Sequence, residues 1–376
     1  MIYLDNASTT FVYPEVAETI KKYYTDDYFN ASATYKPAIR IRSALGEARK
    51  TIASMLGANP NEVYFTSCAT ESNNWIIKNG FKNKNGNMVI SSGEHACVYE
   101  SAVYMQSKGF DVRFAKLTKS GAVDENDLLS KVDKNTCLVS VIHVSNETGA
   151  INDLKRLSSK VKAINPRLIF HSDGVQAFLK IPVNVVNFGV DAYSVSGHKF
   201  HAPKGVGALY LNSKTHIGPL INGGGQENAM RSGTENVAGI IAMAEAAKIY
   251  ASTYDKQKIK ENFIFLIEKL KNIPDCTIIG DPDNNSGFIL AASFGGTKAE
   301  ILQTVMADEE IYIGRGSACS SRHSGNRVLS EIGLSQSEID GTLRFSLSPE
   351  TTKEEIEKAL LVLASKVEAL RGNKIG

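Results

Sequence analysis

The residues best placed for chemistry stand together in Ser196-Gly197-His198-Lys199, which closes the mostly apolar run Asp191-Ala192-Tyr193-Ser194-Val195. A lysine at the end of a buried strand is costly to desolvate, because burial disfavours its charged form. That cost has a use where the amine must be neutral to attack a carbonyl carbon. Ser196 and His198 can donate hydrogen bonds to an anion beside it, and Gly197 lets the backbone come close. The combination suits a Schiff base between Lys199 and pyridoxal phosphate (PLP), an aldehyde that carries a phosphate. Taken alone, a strand-end lysine more commonly reaches into solvent, so the other polar clusters have to decide.

Several of them are suited to the same group. Asp173 follows the apolar run Arg167-Leu168-Ile169-Phe170-His171 and is expected to be buried, where a carboxylate needs a cationic partner. A protonated pyridine nitrogen is such a partner, and the pairing keeps the ring an electron sink. Gln176 and Asn146 could bond the ring's phenolic oxygen. Thr70 stands between a strand and a helix, where a hydroxyl and free backbone N–H groups suit a phosphate, although such a residue is also an ordinary helix cap. His95 could stack on an aromatic ring, move a proton, or be structural. Cys319 lies among small and basic residues, Gly314-Arg315-Gly316-Ser317-Ala318-Cys319-Ser320-Ser321-Arg322-His323-Ser324-Gly325-Asn326. Those neighbours bury a thiol poorly and favour its thiolate, so Cys319 reads as a nucleophile on a mobile loop. Arg344, on Leu343-Arg344-Phe345-Ser346-Leu347, fits a bidentate clamp on a carboxylate or a structural ion pair.

The elements that must position these residues alternate. Strands expected near 62–66, 87–91, 110–114, 137–144, 167–171, 191–195 and 207–211 each run into a polar cluster or a helix. This pattern specifies an α/β fold with a mostly parallel or mixed sheet, whose ligands sit beyond the carboxyl ends of the strands. Helices are expected from Pro14 to about Tyr24, around Ile41–Met55 with Ala44, Ala48, Ile52 and Met55 on one face, and over Val237–Leu270. Pro274 and Gly280-Asp281-Pro282 then punctuate the chain. The last helix opens with a Thr352/Glu355 capping box and carries an apolar stripe from Ile356 to Leu370. The organisation expected is a large domain over 15–250 and a small α/β domain from 1–14 and 251–376, with the Cys319 loop at about 314–327.

Composition narrows the function. A chain of 376 residues, 43% hydrophobic and 22% charged, can bury a large core. A net charge of +2 gives no reason to expect direct nucleic-acid or membrane binding. No apolar run reaches the ~18 residues of a membrane span. Residues 1–6 lack the basic region and apolar core of a secretory leader. The five cysteines are scattered without a Cys-x-x-Cys pair, which argues against a disulfide framework or metal site and for a reducing cytoplasm.

Together these stretches resemble the cysteine desulfurases of the NifS/IscS type, within the class V, fold type I PLP enzymes. The resemblance covers essentially the whole chain. It is carried by Tyr3-Leu4-Asp5-Asn6-Ala7, Ala69-Thr70-Glu71-Ser72-Asn73-Asn74, Gly93-Glu94-His95, Asn146-Glu147-Thr148-Gly149, Asp173 with Gln176, and Ser196-Gly197-His198-Lys199. Gly205-Val206-Gly207-Ala208-Leu209-Tyr210, Arg231-Ser232-Gly233-Thr234, Gly316-Ser317-Ala318-Cys319 and Arg344-Phe345-Ser346-Leu347 complete it. It implies a large domain with a mainly parallel, seven-stranded mixed sheet flanked by helices, and a smaller domain bearing the cysteine loop.

The resemblance also implies roles. Lys199 carries PLP and is the acid/base at the substrate α-carbon. His95 stacks on the ring, Asp173 pairs with its nitrogen, and Gln176 touches its phenolic oxygen. Ala69, Thr70, Ser196 and His198 hold the phosphate, with Thr234 reaching in from the other subunit of a homodimer. Asn146 and Arg344 orient L-cysteine, Arg344 through the carboxylate. Cys319 takes the sulfur as a persulfide, leaving L-alanine, and passes it to an iron–sulfur scaffold or a tRNA-thiolation protein. The competing readings are a selenocysteine lyase or class V aminotransferase of the same fold, and a non-catalytic sulfur-relay subunit. The sequence departs from the family's habit at Cys68, where glycine is usual, at Gln226, where histidine is common, and in the basic pair Arg322-His323.

Overall fold

A computed structural model describes residues 1–80, 85–316 and 327–372. In chain order the strands are β1 (Ile2–Leu4), β2 (Val63–Thr66), β3 (Asn87–Ser91), β4 (Asp111–Ala115), β5 (Thr136–Ser140), β6 (Ile169–Asp173), β7 (Ala192–Ser196), β8 (Gly207–Leu211), β9 (Cys276–Ile279), β10 (Ile289–Phe294), β11 (Ile311–Ile313) and β12 (Thr342–Ser346).

The seven-stranded sheet has the order β2-β8-β7-β6-β5-β3-β4. β4, β3, β5, β6 and β7 run parallel, and β8 is antiparallel to both its neighbours, β7 and β2. The sheet is therefore mixed and mainly parallel, as the alternation of strands and helices requires. Its central strands β3, β7 and β8 are buried along their whole length. They are covered on both faces, which is why their sequences read as continuous apolar runs rather than alternating ones. One apolar cluster packs the helix Lys36–Leu56 and the helix Val237–Thr253 on one face. A second packs the helices Ala69–Asn79 and Ala96–Ser107 on the other.

The helix Lys36–Leu56 buries Ile41, Leu45, Ala48, Ile52 and Leu56. Ala44 and Met55, expected on that face, lie at its edge, because a 3.6-residue repeat anchored on Ile41 passes through Leu45 instead. The expected single helical region over 237–270 is two helices, Val237–Thr253 and Lys256–Lys271. Asp255 separates them by accepting from the N–H groups of Gln257 and Lys258, which begins a new helix.

The rest of the chain builds an antiparallel sheet of order β12-β10-β9 and the parallel pair β1-β11. Single bridges, Asp5 to Ser346 and Gly314 to Arg344, join that pair to β12. The N-terminal residues thus pack with the C-terminal part, in a separate apolar cluster that includes Leu4, Phe294, Phe345 and Leu363. The last helix begins with the expected box: Glu355 N–H donates to Thr352 Oγ1, and Thr352 N–H to a Glu355 carboxylate oxygen. No helix among the described residues is long and apolar enough to cross a membrane.

Candidate active site

The carboxyl ends of β2, β3, β6 and β7 open onto one cavity of about 940 Å³. Ala69, Thr70, His95, Asn146, Asp173, Gln176, Ser196, His198, Lys199 and Arg344 all line it. Residues from separate strand ends converge there because parallel strands all point their carboxyl ends the same way.

Lys199 sits in a short 3₁₀ turn, Gly197–Lys199, that follows β7 directly. Its Nζ does not reach for solvent. It donates to the carbonyl oxygens of Ala7 at 2.6 Å and Ser8 at 2.7 Å, so the N-terminal loop holds the amine at the cavity. His198 Nδ1 lies 3.2 Å from Thr9 Oγ1. Burial, and then the charges of Lys199 and Lys204, lower the His198 pKa to about 3, so its ring is neutral.

Asp173 is the last residue of β6 and is 2% exposed. One carboxylate oxygen accepts from the Val175 N–H at 3.0 Å and the other from Asn73 Nδ2 at 2.7 Å. Both donors are neutral amides, so a buried carboxylate faces the cavity with hydrogen bonds but without countercharge from them. The turn just after it needs Gly174, where a Cβ would lie 2.0 Å from the Tyr193 ring.

At another side of the cavity the helix Ala69–Asn79 starts at Cys68, whose side chain makes no cap. The first-turn N–H groups are left to a ligand. The departure from glycine at Cys68 is harmless to the backbone: its φ of −177° is extended and open to any residue. The close approach is made instead by Gly207 on β8, where a Cβ would meet the Cys68 backbone at 2.9 Å.

Arg344 is 5% exposed on β12. Its Nη1 donates to the Asn146 carbonyl at 2.9 Å, and its Nη2 to Asp5 at 3.1 Å and Ser8 Oγ at 2.8 Å. The ion pair with Asp5 means that the structural reading of Arg344 holds, yet its Nε stays buried without a hydrogen-bond partner, as does Asn146 Oδ1. Gln176 is pinned at both ends of its amide. Nε2 donates to the Ala7 carbonyl at 2.9 Å, and Oε1 accepts from Lys180 Nζ at 2.8 Å.

These observations fit PLP. The uncapped helix start with Thr70, Ser196 and His198 suits its phosphate, Asp173 its ring nitrogen, and Lys199 its aldehyde carbon. Metal chemistry fits less well. Among the described residues, one trio, His95, Cys97 and Asp173, has ligand-type atoms within 4.8 Å of one another. All of these residues already hydrogen-bond to Asn73 or to each other.

Thr234 is not brought to this cavity. It lines a smaller one with Ser67, Glu227 and Arg231. Cys319, with Arg322 and His323, lies outside the described residues. The sequence reading missed Glu94, Cys97, Tyr99, Lys180 and Arg327. Glu94 stands beside His95 and is fully buried; burial, and then the Asp173 charge, push its carboxyl well above the usual range. Arg327 lies over the Tyr99 ring at 3.9 Å and donates to the Glu94 carbonyl. Only its basic character next to the cysteine loop could have drawn attention in sequence.

Comparison with known proteins points one way. The aminotransferase class-V model matches residues 2–359. A cysteine desulfurase, IscS, of Dictyoglomus turgidum is 38% identical over 98% of this chain and 95% of its own length. The solved structure of a NifS-like protein superposes with a TM-score of 0.92 at 32% identity, covering 98% of this chain and 99% of that one. The structure of SspA in complex with cysteine superposes with a TM-score of 0.83 at 32% identity, over 94% of this chain and all of that one.

Proposed function

The chain belongs to the class-V aminotransferase family and is a PLP-dependent cysteine desulfurase, and from that premise we propose which residues perform the reaction and where the sulfur goes. The observation that carries the assignment is the single cavity holding Lys199, Asp173 and Arg344 together. When bound, PLP supplies an electron sink for the carbanion formed at the substrate α-carbon.

Lys199 holds the cofactor and moves the proton at that carbon, with Ala7 and Ser8 keeping its Nζ in place. His95 lies against the cofactor ring, Asp173 keeps the ring nitrogen protonated, and Gln176 donates to the phenolic oxygen from an amide that Lys180 orients. Ala69, Thr70, Ser196 and His198 hold the phosphate. Asn146 and Arg344, which both line the cavity, orient L-cysteine, with the Arg344 guanidinium taking the carboxylate. The Cys319 thiolate attacks the substrate sulfur. A sulfur–sulfur bond forms as the carbon–sulfur bond breaks, the bonding pair stays with carbon, and carbon takes a proton, so L-alanine leaves and Cys319 carries the persulfide.

Thr234 serves the phosphate of the other subunit in a homodimer. What supports this is that Thr234 lines a smaller cavity with Ser67 and Arg231 and does not line its own chain's large one. The persulfide passes to a protein acceptor, an iron–sulfur scaffold or a tRNA-thiolation protein, in a reducing cytoplasm. The free thiols of Cys68, Cys97, Cys137 and Cys276 agree with that compartment. The test is a spectrum of purified protein with and without L-cysteine, followed by alanine and persulfide assays. Cys319→Ala should keep the cofactor band and lose persulfide; full turnover in that variant would instead support a lyase or aminotransferase.

A further inference from the structure

Cys97 has no part in the roles above, yet it touches the site. It stands in the first turn of the helix Ala96–Ser107, capped by His95, and lines the same cavity. Its Sγ is 3.0 Å from His95 Nδ1 and 3.1 Å from Asn73 Nδ2. Asn73 Nδ2 also donates to Asp173 at 2.7 Å. A chain of contacts therefore runs Asp173, Asn73, Cys97, His95.

The direction of these bonds can be worked out. The Cys97 backbone N–H donates to His95 Nδ1 at 3.2 Å. A backbone N–H can only donate, so Nδ1 must offer its lone pair. The ring proton is then on Nε2. Burial, and then the Asp173 charge, push the Cys97 thiol up to about 12, so it keeps its proton and can donate toward Nδ1, sharing that nitrogen's one lone pair with the backbone N–H, while Sγ accepts from Asn73.

We propose that Cys97 is a positioning residue: it holds His95 as the neutral tautomer protonated on Nε2, and Asn73 ties that setting to Asp173. The proposal deepens the desulfurase reading, because it rests on His95 lying at the cofactor. The groups that face His95 act in both directions. Burial is the largest influence and disfavours the imidazolium, Lys199 and Arg327 do the same, and Asp173 and Glu147 oppose them. His198, which is neutral, and Glu94, whose carboxyl is pushed well up by burial and then by the Asp173 charge, are also close. A thiol bond to the neutral ring adds to the first set. Removing it raises the proton affinity of His95, by about three- to tenfold for an ordinary hydrogen bond, or roughly half to one pH unit.

The experiment uses PLP-loaded protein labelled with ¹⁵N in the histidine rings, as wild type, Cys97→Ala and Cys97→Ser, with the His95 signals assigned by their loss in His95→Gln. Wild type should show His95 unprotonated at Nδ1 and protonated at Nε2 at neutral pH. Cys97→Ala should move the His95 titration up by the stated amount, and the acid limb of kcat/KM with it. Cys97→Ser, whose hydroxyl can donate to the same nitrogen, should restore the wild-type behaviour. A proton on Nδ1 in wild type, an unmoved titration in Cys97→Ala, or a Cys97→Ser that matches Cys97→Ala overturns the proposal. The cofactor absorption of His95→Gln is read separately: no change there counts against His95 at the ring, whatever the tautomer proves to be.

Discussion

Replacing Lys180 with methionine should stabilise this protein at neutral and acid pH while impairing its cofactor site. Lys180 is fully buried, and its Nζ has Gln176 Oε1 at 2.8 Å and the face of Phe288 at 6.0 Å. Burial, and then the charges of Lys199 and Arg344, lower its pKa from 10.5 to about 7. The folded value lies below the unfolded one, so between about pH 7 and 10.5 the unfolded chain binds more protons and stability rises with pH. At pH 6 both states are mainly protonated, and the amine costs the fold about 5 kcal/mol; at pH 9 the cost falls to about 2 kcal/mol. Lys180→Met keeps the chain length and apolar stem and removes that titration. Urea unfolding of both proteins at pH 6 and pH 9 is the assay. The advantage of the variant should shrink by about 3 kcal/mol from the lower to the higher pH. An advantage that is equal at the two pH values, or a wild type that loses stability as pH rises through this window relative to the variant, would refute the reasoning. The same substitution releases the Gln176 amide from its fixed orientation, so its cofactor absorption band should shift even where the fold is more stable.

Other substitutions probe separate links. Arg344→Lys keeps the charge but cannot present the same fork of donors; kcat/KM for L-cysteine should fall by roughly 10- to 100-fold, mostly in KM, and an unchanged KM would leave Arg344 a purely structural ion pair. Glu227 takes both guanidinium nitrogens of Arg49 at 2.6 and 2.7 Å and the Phe65 N–H at 2.9 Å. It also anchors a run of positive φ through Ala229. Glu227→Ala should cost about 3–5 kcal/mol in denaturant unfolding, because it strands a half-buried arginine. Cys68→Gly should leave cofactor affinity within about twofold, since the backbone there is already extended, and lower stability by about 0.4–1 kcal/mol through the freer unfolded chain. A large gain in cofactor affinity in that variant would mean that the thiol crowds the phosphate.

Much of this protein was legible in its sequence. Strand-then-polar-cluster repeats placed Asp173 and Ser196 at strand ends and Gly197 through Lys199 just beyond the second, because a parallel sheet delivers each carboxyl end to one edge. Burial could be anticipated for Asp173, since a carboxylate after a continuous apolar run has no water to face. Local chemistry announced the Thr352/Glu355 box, whose partners are neighbours in the chain. What depended on contacts distant in sequence was not legible. Nothing in Ala7 or Ser8 shows that their carbonyls will hold Lys199 Nζ, because the approach exists only once β1 pairs with β11 and brings the N-terminal loop across. The two-sidedness of Arg344, ion-paired through Nη2 yet buried without a partner at Nε, likewise arises where Asp5, just after the first strand, and Asn146, from the middle of the chain, meet it. Residue types and their order determined which chemistry was available. Tertiary packing decided which amine burial pushes down toward neutrality, Lys180, and which buried carboxylate is held by neutral amides, Asp173, because those properties belong to the surroundings a side chain is folded into.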